Sequence, residues 1–206
     1  MADAAKTKRK PAGAAVLRED VTRAILRATA EVLAERGYGR LTLDEVARRA
    51  QVSRPALYRR WPSKHALTTA LVADAERDAV ENDTGSLRGD VTAFLAAADA
   101  GLRNPLVARI VPDLLIEAKR ETELGESLTL VRDTRRARAG RIFDRAIARG
   151  ELSPDTDREM ALDLLAAPIY WRLAMARIPT DPGYLARLTD VTLTAIAAAR
   201  MGTGSS

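Results

Sequence analysis

The stretch LTLDEVARRAQVSRPALYRRWPSK, residues 41–64, decides the fold of the first third of this chain. Thr42 opens it as a helix N-cap, with Glu45 three residues later in the spacing of a capping box. Ser53 is a second N-cap. The Trp-Pro pair at 61–62 then ends the second helix, because the residue before a proline is disfavoured in the α conformation. The sequence therefore predicts two short helices with a turn of about three residues between them.

A longer amphipathic helix precedes this unit. Between Arg18 and Arg36, apolar residues recur at the spacing of one helix face, and Gly37 follows as the C-terminal cap. Two short helices packed on a longer first one form a helix-turn-helix, whose second short helix enters the major groove of DNA. In that second helix, periodicity places Ala56 and Leu57 inward. The residues predicted to point outward are Arg54, Pro55, Tyr58 and Arg59.

The composition favours an all-α protein. Alanine, leucine and arginine dominate, strand-forming residues are sparse, and aromatic residues make up 4% of the chain. The absence of cysteine excludes disulfides and thiolate metal sites, and a single histidine, His65, argues against a histidine-based catalytic or zinc site. We therefore predict no metal and no cofactor. Without a long apolar run or a secretory signal, a cytoplasmic protein with no membrane contact is expected.

The positive charge of the chain is concentrated at its N-terminal end. Residues 1–66 contain 15 Lys and Arg against 7 Asp and Glu, whereas the remaining residues contain 18 against 21. The first third is therefore strongly basic and the rest slightly acidic, although the whole chain has a formal charge of +5. This asymmetry is typical of a polyanion-binding module joined to a domain with another role.

The segment AILRATAEVLAERGYGRLTLDEVARRAQVSRPALYRRWPSKHAL, residues 24–67, resembles the N-terminal DNA-binding domain of TetR-family transcriptional regulators. The resemblance lies in the "ERGY" end of the first helix, "LTLDEVARRA" in the second, "VSRPALYRRWPSK" in the third and the start of the fourth. It implies that one group of residues holds DNA phosphates, namely Thr42, Tyr58 and Lys64. It implies that a second group faces the base edges, namely Arg54, Pro55, Ala56 and Arg59.

Two positions depart from the commonest pattern of that family. Gln51 occupies the turn position where glycine is usual, a site suited to positive φ, and a residue with a side chain there costs about 1 kcal/mol. Trp61 replaces the usual phenylalanine, and we expect it to pack at the joint between the third and fourth helices. His65 is expected to be exposed near the DNA backbone.

Capping and breaking residues predict about nine helices, and the whole chain divides into four segments. The segments are a disordered basic arm at 1–16, the helix-turn-helix domain at 17–62, a larger helical domain at 63–200, and a tail at 201–206. The larger domain resembles, more weakly, a TetR-like C-terminal domain over residues 149–173, which implies ligand binding and dimerisation.

Such a domain typically encloses a ligand pocket. Prolines at 112 and 168 are expected to open the helix packing, with two aromatic residues forming a wall and two charged residues anchoring the ligand. The pocket residues predicted in this way are Arg109, Pro112, Glu117, Tyr170 and Trp171. Ordinary core packing of the aromatic residues and solvation of the charged ones are the alternatives.

The last helix carries a continuous stripe of small and medium apolar residues. Together with the preceding apolar helix at 157–178, and paired with the same two helices of a second chain, it predicts a four-helix dimer interface. The interface residues predicted in this way are Leu185, Leu188, Thr192, Ala195, Ile196 and Ala199.

The sequence thus predicts a homodimeric repressor that binds an inverted-repeat operator in double-stranded DNA and is released by a small-molecule effector. A nonspecific architectural DNA-binding protein explains the basic first third but not a second domain with interrupted helices. An enzyme is the weakest alternative, because the chain has no second histidine, no cysteine and no glycine-rich phosphate loop.

Overall fold

The computed structural model describes residues 14–77, 83–181 and 183–200, and these residues fold into helices joined by short connections. The helices are α1 (Ala14–Arg36), α2 (Leu43–Arg49), α3 (Arg54–Arg60), α4 (Lys64–Arg77), α5 (Leu87–Arg103), α6 (Pro105–Glu117), α7 (Thr122–Ala148), α8 (Arg158–Tyr170) and α9 (Tyr184–Ala198). A 3-10 turn, Tyr38–Arg40, follows α1, and a π-helical segment, Trp171–Met175, extends α8. The all-α prediction is confirmed. No helix in this part of the chain is long and apolar enough to cross a membrane.

The predicted chain ends need one correction. Helix α1 begins at Ala14, so residues 14–16 belong to a helix rather than to the arm predicted at 1–16. Residues 1–13 of that arm and the tail at 201–206 lie outside the described residues.

Side-chain caps set several helix starts as their sequences predict. Thr42 accepts a hydrogen bond from the Glu45 amide at 3.4 Å, and Ser86 accepts one from the Gly89 amide at 3.1 Å. Asn104 similarly accepts from the Leu106 amide at 3.0 Å. These caps satisfy amide groups that have no partner within the first turn of a helix.

The turn between α2 and α3 is a Schellman motif. The Val52 amide donates to the Ala47 carbonyl at 3.0 Å, and the Gln51 amide donates to the Arg48 carbonyl at 3.3 Å. This pairing requires a left-handed residue between the helix and Val52, and Gln51 has φ 56. The positive φ predicted for Gln51 is therefore confirmed.

Replacing Gln51 with glycine is expected to stabilise the protein. The Gln51 side chain is exposed, so its removal leaves no cavity, and glycine adopts positive φ without the steric cost of a Cβ. We expect Gln51→Gly to raise the free energy of unfolding by about 1 kcal/mol in urea titrations. Gln51→Ala keeps the Cβ and serves as the control. An equal gain from both substitutions would show that backbone strain is not the cause.

Two apolar cores hold the helices together. The N-terminal core joins α1, the 3-10 turn and α2–α4, with Leu57 of α3 and Leu67 of α4 fully buried. It also takes in Ile110 and Leu114 of α6 and Leu124 of α7. The C-terminal core lies among α5, α7, α8 and α9. The first core therefore extends past the boundary predicted at residue 62. Below, "head" means α1–α3 with the 3-10 turn, and "body" means α4–α9.

The end of α8 departs from regular helix geometry. Pro168 lies inside α8, and three residues later the chain enters the π-helical segment, in which the Ala176 amide donates to the Trp171 carbonyl at 2.8 Å. Arg177 then takes φ 55, a left-handed conformation that is uncommon for a residue with a side chain. The Arg172 guanidinium donates to the Pro179 carbonyl at 2.9 Å and lies over the ring of Tyr184, which fixes this connection.

Candidate nucleic-acid interface

Only one residue of α3 is fully buried, and most of its other side chains are exposed. Ser53 precedes it in extended backbone, although its hydroxyl makes no capping hydrogen bond. Trp61 follows it with φ −132 and ψ 103, as expected before a proline, and packs against the N-terminal core. Leu57 is fully buried, whereas Ala56 is half-buried. The inward placement predicted for Leu57 is confirmed, and the Trp61 side chain occupies the predicted joint.

Some outward side chains of α3 form ion pairs or hydrogen bonds within the protein, and others do not. Arg54 pairs with Asp44 of α2 at 3.2 Å. Tyr58 is 46% exposed, and neither its hydroxyl nor the guanidinium of Arg59 has a hydrogen-bond or ion-pair partner among the described residues. Pro55 is also exposed, in the first turn of the helix. Helix α3 therefore presents a phenol hydroxyl and a guanidinium that an external partner can bind.

Arg60, next to Arg59, has a structural role that its sequence position does not reveal. Its guanidinium donates to the Thr22 hydroxyl of α1 at 2.8 Å and lies 5.7 Å from the centroid of the Trp61 ring. It thereby ties α3 to α1.

The start of α2 is organised around the carboxylate of Glu45. This group accepts hydrogen bonds from Arg48 at 2.8 Å and from Arg49 at 3.0 Å, and it lies 3.4 Å from Arg36. The predicted capping box is thus half formed: Thr42 caps the Glu45 amide, while the Glu45 carboxylate binds arginines. Thr42 is exposed at the N-terminus of α2, a position that favours a phosphate.

The Glu45 network predicts a stability change at low pH. Hydrogen bonds from Arg48 and then Arg49 lower the pKa of Glu45 to about 2 from an ordinary value of 4.5. Because the folded pKa is the lower one, the ionised carboxylate stabilises the folded state fully above about pH 4.5. That stabilisation is lost as the pH falls to about 2. We expect the difference in melting temperature between the wild type and Glu45→Gln to shrink over this range, and a difference that persists at pH 2 would contradict the assignment.

The Lys64 side chain is half-buried and contacts two other residues of the protein. Its ammonium lies 3.2 Å from the Glu121 carboxylate and 4.1 Å from the centroid of the Tyr38 ring. The buried Tyr38 hydroxyl donates to Glu121 at 2.6 Å, which holds the pKa of Glu121 below its ordinary value. Burial, followed by this hydrogen bond, raises the pKa of Tyr38. The Lys64 ammonium therefore already pairs with a carboxylate of the protein.

The expectation that His65 is exposed is wrong. His65 is half-buried, its Nε2 is 2.8 Å from the Ser127 hydroxyl, and its Nδ1 is 3.5 Å from the Glu123 carboxylate. Both partners belong to α7, so His65 lies at the contact between α4 and α7.

Comparison with known proteins agrees with this geometry. Residues 25–71 match the bacterial regulatory proteins of the tetR family, and residues 81–192 match the tetracyclin repressor-like C-terminal domain. The chain belongs to the TetR family. It is similar to the HTH-type transcriptional regulator Rv1556 of Mycobacterium tuberculosis, with 34% identity over 82% of this chain and 84% of that one. It is also similar to the DNA-binding transcriptional repressor TetR of Mycobacteroides abscessus, with 30% identity over 81% and 88% of the two chains.

Solved structures of TetR-family proteins show the same fold. The TetR family transcription regulator SCO0332 superimposes with a TM-score of 0.67 and 30% identity, covering 86% of this chain and 98% of that one. Salmonella enterica GusR gives a TM-score of 0.68 and 25% identity, covering 85% and 95%. The chain is therefore a TetR-family transcriptional regulator that binds DNA, and its matched relatives are regulators rather than enzymes.

The residues predicted to form the TetR-type ligand pocket do not come together. Trp171 is 66% exposed on the outer surface, so its prediction as a pocket wall is wrong. Tyr170 is half-buried and accepts a hydrogen bond from Arg135 of α7 at 3.3 Å. Glu117 pairs with Arg120 at 3.2 Å, and Pro112 is half-buried inside α6. Arg109 lines a surface depression together with residues of α1 and the connection after the π-helical segment.

The residues predicted for the TetR-type dimer interface face the interior of this chain rather than its surface. Leu188, Thr192, Ile196 and Ala199 are buried within this chain, and Leu185 packs against the C-terminal core. Ala195 is half-buried. The apolar stripe is therefore the inner face of α9, which is already covered by its own subunit. Other apolar residues of α8, the π-helical segment and α9 are exposed instead, among them Met160, Trp171 and Val191.

Proposed function

We propose that this protein is a homodimeric repressor that binds an inverted-repeat operator and is released by a small-molecule effector. The observation that carries the proposal is the outer face of α3, where Tyr58 and Arg59 have no partner among the described residues. An arginine on this helix can bind guanine through two hydrogen bonds, while the tyrosine hydroxyl can hold a phosphate. Thr42, at the N-terminus of α2, supports a second phosphate contact.

Two exposed apolar stripes support dimerisation. Along α8 and into the π-helical segment, exposed apolar residues recur at helical spacing, namely Met160, Ala167 and Trp171. On α9, Val191 and Ala198 do the same. Helices α8 and α9 pack against each other, so the two stripes are parts of adjacent surfaces. A second copy that presents the same surface covers both stripes under twofold symmetry. Two heads related by this symmetry suit an inverted repeat with half-sites about 34–36 Å apart.

Contacts between head and body support release by an effector. Tyr38 of the head donates through its amide to Asp113 of α6 at 2.7 Å and through its hydroxyl to Glu121, next to α7. Lys64 joins the same cluster. A ligand that binds better to one arrangement of head and body shifts the population toward it, and so lowers DNA affinity when that arrangement misplaces the heads.

The proposal is tested by footprinting on the DNA that flanks the protein's own gene. We expect protection of an inverted repeat at about 150 mM salt, where binding driven by charge alone is weak. Random DNA of equal length is the control. Equal protection of random DNA would favour the nonspecific architectural protein instead.

A further inference from the structure

A depression of about 720 Å³ lies between the head and the body. Its walls are the ends of α1 and α5, helix α6, and the π-helical segment with the connection that follows it. Its volume is within the range of about 300–1,000 Å³ that is usual for small-molecule sites. It lies beside the contact through which Tyr38 joins the head to Asp113.

Four arginines line this depression against one carboxylate, that of Asp113. Arg36 lies 3.4 Å from Glu45, and Arg103 is bound by Asp99 at 2.7 Å. The other two, Arg109 and Arg177, have no hydrogen-bond or ion-pair partner among the residues that the structure describes. Asp113 accepts a hydrogen bond from the Tyr38 amide and remains the one carboxylate in the lining, so the four guanidinium groups outnumber it. The depression therefore has an excess of positive charge and includes two guanidinium groups without an ion-pair partner among the described residues.

The remaining lining is largely apolar. Leu33 of α1, Leu173 of the π-helical segment and the exposed Ile178 line the depression beside the two guanidinium groups. Two features that are rare and that concentrate at functional sites meet here. Leu173 belongs to a π-helical segment, and Arg177 is a non-glycine residue in the left-handed conformation.

We propose that this depression binds an organic anion, a carboxylate or phosphate group on an apolar body. Arg109 and Arg177 hold the anionic group by charge-assisted hydrogen bonds, while Leu173 and Ile178 contact the apolar part. Because the walls come from both head and body, an occupant fixes their relative position. If the proposed function holds, this ligand is the class of effector that releases DNA.

The site is tested by calorimetric titration of the DNA-free full chain. Octanoate and octyl phosphate carry the proposed head groups, while octanol and octyltrimethylammonium keep the chain but lack the negative charge. We expect at least one anion to bind with a Kd below about 1 mM. Neither the uncharged octanol nor the cationic octyltrimethylammonium is expected to bind. The ratio of the two anion affinities identifies the preferred head group.

Two variants test the residues. Arg109→Gln removes one guanidinium from an exposed position, and Arg177→Gly removes the other while relieving the positive φ. Each is expected to weaken binding of the anion at least tenfold. Arg177→Gly is also expected to melt no lower than the wild type, which excludes unfolding as the cause. Arg27→Gln removes an equal charge from an exposed position on α1 that does not line the depression, and is expected to leave the Kd within twofold.

Absence of binding by both anions, or unchanged affinity in both variants, would overturn the site. A gel shift with the footprinted operator separates this result from the proposed function. Operator binding without anion binding leaves the repressor proposal intact and removes the site. Anion binding that does not release the operator removes the effector role of the depression.

Discussion

Val191→Glu is expected to convert the protein to a monomer and to lower operator affinity by at least about 100-fold. Val191 is 65% exposed and is the largest residue of the outer stripe of α9, and twofold symmetry brings two copies of any residue near the axis into one interface. The substitution would therefore bury two carboxylates without partners, which costs several kcal/mol. A single head then binds only one half-site, so the affinity gained from two linked contacts is lost.

The matched control is Leu130→Glu. Leu130 is 69% exposed on α7 and is not one of the residues of the α8 and α9 stripes, so the same chemical change is made at an equally accessible apolar residue. Sedimentation velocity should show a monomer for Val191→Glu and a dimer for Leu130→Glu, with equal helicity by circular dichroism. A dimeric Val191→Glu would place the interface elsewhere on the surface.

The head was predictable because short-range rules determine it. The N-cap at Thr42, the turn residue Gln51 and the helix end at Trp61 each depend on residues within a few positions. The structure places all three as their local sequence predicts.

The exposed apolar surface of α8 and α9 was not predictable, because periodicity finds an apolar stripe without showing what covers it. The stripe through Leu188 and Ile196 is real, but it is covered by this chain's own core. The exposed stripe through Val191 is narrower and contains alanines, so it gave a weaker signal. Its position close to Pro168 predicts Trp171 as part of a pocket wall, yet it lies on the surface.

The roles of individual basic residues depend on distant partners. Lys64 meets Glu121, 57 positions further along the chain, and Arg60 meets Thr22 of α1. No pattern of neighbouring residues in the sequence indicates either pairing. Only the structure therefore distinguishes Arg59, which has no partner among the described residues, from its neighbour.

Arg59→Ala is expected to remove most operator specificity while leaving the fold and the dimer unchanged. The Arg59 guanidinium makes no hydrogen bond or ion pair with the described part of the chain, so its loss removes no internal contact. One arginine–guanine contact contributes about 1–3 kcal/mol of discrimination. Since a dimer makes two such contacts, we expect operator affinity to fall on the order of 100-fold in gel-shift titrations. Affinity for random DNA should change little, because that binding depends mainly on phosphate contacts.

Arg60→Ala and Tyr58→Phe separate base reading from other roles at neighbouring positions. Arg60→Ala removes the same charge but also the hydrogen bond to Thr22, so we expect it to lower the free energy of unfolding by about 1 kcal/mol. Tyr58→Phe removes one phosphate contact and should weaken binding to operator and random DNA alike. If Arg59→Ala and Tyr58→Phe both bound the operator normally, α3 would not be the recognition helix. If Arg59→Ala instead reduced operator and random DNA binding equally, Arg59 would be a phosphate contact, because only a residue that reads bases changes the ratio of the two affinities.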